Sequence, residues 1–116
     1  MSEQDNKRSS GALEPATPVQ LANLVEYAPG TVVSRTLAKS KAGTLTVFAF
    51  DAGEELSEHT APFDALVHVI DGQAEITIDG QPHALEAGEM IVMPADRPHA
   101  VRAVQKFKMV LVMIRS

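Results

Sequence analysis

Two stretches decide how this chain folds: Gly53-Glu-Glu-Leu-Ser-Glu-His59 and Gly88-Glu-Met-Ile-Val-Met-Pro94-Ala-Asp-Arg-Pro-His99. Each carries a histidine a few residues past a glycine. Between them lie runs that alternate in polarity. Gln73-Ala-Glu-Ile-Thr-Ile78 puts Ala74, Ile76 and Ile78 on one face and Glu75 and Thr77 on the other, the period of a half-buried strand. Asp71-Gly72 and Asp79-Gly80 are hairpin signals at its two ends, because both residues favour positive φ. Strands that fold back there bring His59 and His99 toward a common pocket.

Working outward, the other segments are also strand-like. Thr31–Leu37, Thr44–Phe50, Ala65–Ile70, Glu89–Met93, Ala100–Val104 and Phe107–Ile114 are rich in β-branched and apolar residues. Glycines and prolines cut them to strand length. His83–Glu86 reads as a short edge piece, and Val19–Tyr27 fits a helical turn or a lead-in strand equally well. Short strands without a convincing long helix predict an antiparallel sandwich or barrel. Residues 1–18 read as a disordered or extended leader, and residues 19–116 as one domain.

Composition excludes several classes. A chain of 116 residues, 45% apolar, is long enough for one core. It has no apolar run long enough for a membrane span. Its net charge of −5, scattered basic residues and few aromatics argue against nucleic acid. The absence of cysteine removes disulfides and thiolate chemistry. The polar N-terminus lacks the features of a secretory signal, so a cytoplasmic location is expected.

The last run places Phe107, Met109, Leu111 and Met113 on one face and Val110, Val112 and Ile114 on the other. A strand apolar on both faces needs a second burial surface. A homodimer is therefore expected to cover the outer face of one sheet. The alternative is that the leader or Val19–Tyr27 folds over it.

Gly53-x5-His59 and Gly88-x5-Pro94-x4-His99 resemble the two motifs of the cupin superfamily, of the RmlC-like, conserved-barrel type. The resemblance covers about residues 31–116. It implies an all-β fold, an antiparallel double-stranded β-helix or jelly-roll barrel, commonly homodimeric. It also implies a divalent metal held by histidines and a glutamate. Here the second-histidine position is Ala61 and the glutamate position is Ala65, while Asp96 replaces a glycine and Ala103 an asparagine. His59 and His99 alone remain as metal ligands. Such an incomplete set predicts Zn, Ni, Fe or Mn weakly bound or absent, since these ions ordinarily take three or more protein ligands.

The expected pocket comprises His59, Ala61, Phe63, Asp64, Ala65, Met93, His99 and Met109, with alanines making it roomier and more apolar. Asp64 joins it only if an irregular backbone after Pro62 turns its carboxylate inward. Phe48, Phe50, Val67 and Met113 are further lining candidates, although the sequence leaves open whether Phe48 and Phe50 or Leu45 and Val47 face inward. His68 is assigned to the outer face and His83 to solvent. The expected function is small-molecule binding. The alternatives are a metal-dependent enzyme of dioxygenase, isomerase or lyase type, and a structural or interaction domain.

Overall fold

The computed structural model describes residues 11–115. A short 3-10 turn, Leu21–Asn23, precedes eight strands. These are β1 (Val32–Ser40), β2 (Gly43–Phe50), β3 (Glu55–His59), β4 (Asp64–Ile78), β5 (Gln81–Glu86), β6 (Met90–Met93), β7 (His99–Arg102) and β8 (Phe107–Ile114). All pairings are antiparallel. One sheet runs β1-β2-β8-β4-β6, and the other runs β5-β4-β7-β3. The two face each other as an antiparallel jelly-roll barrel.

β4 joins the sheets. Its first half pairs with β6 and β8, and its second half with β5 and β7. This corrects the expectation of a hairpin at Asp71-Gly72. The chain instead continues through that dipeptide as a 15-residue strand, with a register shift between Val69 and Asp71. Gly72 has φ 73°. A Cβ there would stand 2.2 Å from the Lys106 carbonyl oxygen, so the crossing strand requires glycine. Positive φ here bends one strand between two sheets, where the sequence also allowed a reversal. Asp79-Gly80 does reverse the chain. Ile78 pairs with Gln81, and the two turn residues have φ 51° and 78°, which is the twist a two-residue hairpin prefers.

The inner faces form one apolar core. Phe50 and Phe107 stack at 4.6 Å between centroids, and Ile76, Val67, Val69 and Met109 are buried around them. Phe48 and Phe50 face this core, while Leu45 and Val47 belong to the outer face. The register decides what alternation alone left open.

The outer face of the larger sheet has its own cluster. Val47, Ala49 and Val110 pack against Leu13, Leu24, Val25 and Tyr27 of the preceding segment. Val19–Tyr27 thus takes the helical-turn alternative at Leu21–Asn23, within an otherwise irregular strap held at several points. The Arg35 guanidinium donates to the carbonyls of Gly11 (2.9 Å) and Leu24 (3.4 Å). The buried Lys108 ammonium donates to the Ala22 carbonyl (2.5 Å) and sits 4.9 Å from the Tyr27 ring centre. The Tyr27 hydroxyl donates to Asp71 (2.5 Å). Burial and the neighbouring Asp71 carboxylate push that hydroxyl well above the usual tyrosine range. Of the leader expected over residues 1–18, residues 1–10 lie outside the described residues, and Leu13 is packed.

The strap covers the β1-β2-β8 side of the sheet. Toward β6, Met90 (57% exposed), Val92 (49%) and Ile114 (53%) stay open. Leu66 lies beside Val92, and the half-buried His68 beside Met90.

Candidate functional site: two histidines over an apolar cavity

His59 ends β3 and His99 begins β7, and the two are register partners. Inward Leu56 and inward His59 are separated by two residues, so plain alternation would turn His59 outward. A register irregularity between Leu56 and His59 restores its inward aim. This is a frequent use of a bulge beside a site. His99 is buried at 4% exposure, and His59 is exposed at the mouth.

The segments carrying the histidines are stitched together. The Asp96 N–H donates to the Ala61 carbonyl (2.8 Å), and the Asp64 carboxylate accepts from the Ala95 N–H (2.8 Å). Asp96 takes φ 64°, an angle that aspartate tolerates better than most residues. Below, Asp79 accepts from Arg97 Nε (2.5 Å), and its N–H donates to the Pro98 carbonyl (2.9 Å). These contacts fix the loop that delivers His99.

The imidazoles stand edge to face, 4.4 Å between centroids. His59 Nδ1 is 2.8 Å from the Ser57 carbonyl oxygen, and His99 Nδ1 is 3.2 Å from that of Arg97. A carbonyl oxygen only accepts, so both Nδ1 atoms carry the proton. Both Nε2 atoms then present lone pairs, 3.2 Å apart. Two facing lone pairs repel unless a proton or a cation lies between them. Burial, and then the neighbouring His59 charge, hold His99 below the usual histidine range.

Behind the pair is a cavity of about 50 Å³. That volume admits a few waters or a ligand end of a few heavy atoms. Ala61 and Ala65 line it, as do Met93 and Met109. Phe63 and Asp64 do not: they face an outer groove with Leu66, Val92 and Ile114. Strand parity keeps Asp64 outward even after Pro62, and its carboxylate is engaged by Ala95. Leu56, Leu111 and Met113 complete the lining. Val101 and Leu111 follow by alternation from His99 and Met109, so the sequence could have supplied them. Leu56 needed the bulge.

Among the described residues no three His, Cys, Asp or Glu side chains converge as a metal site. The divalent metal implied by the family resemblance thus finds two imidazoles and no carboxylate. His83 is exposed, as expected from its place beside the Asp79-Gly80 turn. Among the described residues no helix is long and apolar enough to cross a membrane.

A jelly-roll barrel with a histidine pair at its mouth defines the class of protein. Residues 46–115 match the family model for the cupin domain, and the chain belongs to that family. It is 39% identical to SPY1581, a conserved protein of unknown function from Streptococcus pyogenes. The match covers 90% of this chain and 91% of that one, with a TM-score of 0.86. A cupin superfamily protein from Desulfitobacterium hafniense is 30% identical, with 94% and 99% coverage and a TM-score of 0.85. Protein SchB of Streptomyces halstedii is 32% identical over 72 residues, which are 61% of this chain and 52% of SchB. The chain thus spans about half the length of that curated relative.

Proposed function

We propose that the barrel is a small-molecule-binding module whose ligand places one polar or acidic end between His59 and His99. The observation that carries this reading is a histidine pair, its Nε2 atoms 3.2 Å apart, in the wall of an otherwise apolar cavity. In a pocket of this kind a few placed polar groups orient a mainly apolar ligand. Singly protonated, the pair offers one positive charge to a carboxylate or phenolate. Neutral, it accepts from an acidic O–H. The cavity takes only the ligand's end, and the remainder lies across the mouth beside the exposed His59. The test is a thermal-shift screen of small carboxylic acids and phenols. A hit should be lost in His59→Ala and His99→Ala. A hit unchanged in both variants removes the histidines from the reading.

The second reading, a metal-dependent enzyme using Zn, Ni, Fe or Mn, draws support from the Nδ1 hydrogen bonds, which aim both Nε2 atoms as metal ligands require. It predicts stoichiometric divalent metal in the protein as purified.

The open patch of Met90, Val92, Leu66 and Ile114 supports a homodimer across the β6 side of the larger sheet. Light scattering should then report about twice the 12.4 kDa chain mass. Val92→Glu should return it to the chain mass. With no cysteine the fold needs no oxidising compartment, and the proposed location is the cytoplasm, which fractionation would test.

A further inference from the structure

The cavity behind the histidine pair is small enough to select among acids by size. It measures about 50 Å³. Apart from the two imidazoles, every residue lining it is aliphatic or methionine, and none is aromatic or acidic. Ala65 is 2% exposed and is the register partner of Met93 on β6 and of Met113 on β8. Inward-facing partners in neighbouring strands stand side by side, so a single methyl group lies between two long, unbranched side chains. All three border the same hollow.

We propose that this hollow is a length gauge, and that the ligand is an unbranched aliphatic carboxylic acid with about two or three carbons beyond its carboxyl group. The inference rests on the small-molecule reading and narrows it to one class of acid. Volume sets the length. A dry apolar cavity of about 150 Å³ accepts benzene. One of about 50 Å³ takes roughly a third as many carbons, two or, with adjustment of the flexible methionines, three. An aromatic ring does not fit, which removes phenols and benzoates. Polarity sets the orientation. An ionised group without a partner is costly between apolar walls, so the carboxyl group stays at the imidazoles and the tail points inward. His99 is 4% exposed while His59 is exposed at the mouth, so the pair spans the rim between water and hollow. The pair also favours an acid over an alcohol or an ester. Two Nε2 atoms 3.2 Å apart lack a proton between them. A carboxylic acid brings one, and the charge-assisted hydrogen bonds that follow are stronger than neutral ones.

The experiment is an NMR titration of the full chain, labelled with carbon-13 at its methionine methyl groups. The probes are acetate, propionate, butyrate, pentanoate, hexanoate, benzoate and 1-butanol, all at one pH. Each methylene buried in the hollow tightens binding about fourfold. Affinity should rise by that factor per carbon from acetate to butyrate and then rise no further. Benzoate and 1-butanol should bind at least tenfold more weakly than butyrate. The methyl signals of Met93, Met109 and Met113 should shift, and that of Met90, exposed on the outer face of β6, should not. Ala65→Val adds two carbon atoms, about what the hollow holds, and should weaken butyrate at least tenfold while changing acetate less than threefold. Met113→Ala removes three heavy atoms and should move the optimum to a longer acid. Affinity that climbs through hexanoate, benzoate bound as tightly as butyrate, or no shift at the three cavity methionines overturns the length gauge. If binding is still lost in His59→Ala, the small-molecule reading survives that result. Failure of every acid to bind overturns both. The acid series uses the unaltered chain, so it decides the matter even if a variant misfolds.

Discussion

Restoring the two absent donors, by Ala61→His together with Ala65→Glu, should convert the cavity into a divalent-metal site. Ala65 is 2% exposed and Ala61 lines the same cavity as His59 and His99. Without metal, the new carboxylate at position 65 is buried among methionines and has no cation. An uncompensated buried charge costs about 3 kcal/mol or more. For a barrel of this size that lowers Tm by about 12 °C, at roughly 4 °C per kcal/mol. Zinc(II) or nickel(II) at a thousandfold excess over its Kd returns about 4 kcal/mol, which brings Tm back to or above that of the unaltered chain. The assay is thermal unfolding with chelator and with added metal, run beside Ala65→Glu alone. That single variant should show the loss with much less of the recovery. A folded double variant whose Tm moves by less than about 2 °C on adding metal would refute the reasoning. It would mean that positions 61 and 65 do not converge with the two Nε2 atoms on one point.

Asp64→Ala should remove the acceptor for the Ala95 N–H, cost about 1 kcal/mol in denaturant unfolding, and leave ligand affinity far less changed than His99→Ala does. Equal loss of affinity in both variants would return Asp64 to the pocket. The depressed His99 pKa makes stability depend on pH with a definite sign. Below the ordinary histidine value of about 6.5 the unfolded chain binds more protons than the folded one. The contribution is therefore complete above that pH and declines as pH falls through it toward the folded value. Unfolding midpoints from pH 8 to pH 5 should show this slope, and His99→Asn should flatten it; a slope of opposite sign refutes it. Tyr27→Phe deletes the hydrogen bond to Asp71 and should cost about 1 kcal/mol. Amide exchange should quicken first in residues 21–27, and uniform quickening across the barrel would contradict the description of a strap.

Much of the fold was legible because it rests on local rules. Alternation in Gln73–Ile78 set which side chains face inward, Asp79-Gly80 set a reversal, and glycines and prolines set strand ends. The spacing from Gly53 to His59 and from Gly88 to His99 located the pair, and Ala61 and Ala65 announced the missing donors. These are properties of a residue and its near neighbours in the chain. Asp71-Gly72 misled for a corresponding reason. Positive φ serves a hairpin or a bend between sheets, and only the close approach of Lys106, at the entry to the distant β8, distinguishes them. The sequence by itself therefore determined the class of barrel, the two histidines and the absence of a carboxylate at the expected positions. Tertiary structure alone decided the rest. It turned His59 inward through a bulge, sent Asp64 outward to Ala95, laid residues 13–27 over the outer cluster, and set Met93 and Met113 on either side of Ala65. Each of these depends on register between segments far apart in the chain, and register is fixed only when whole faces are buried together.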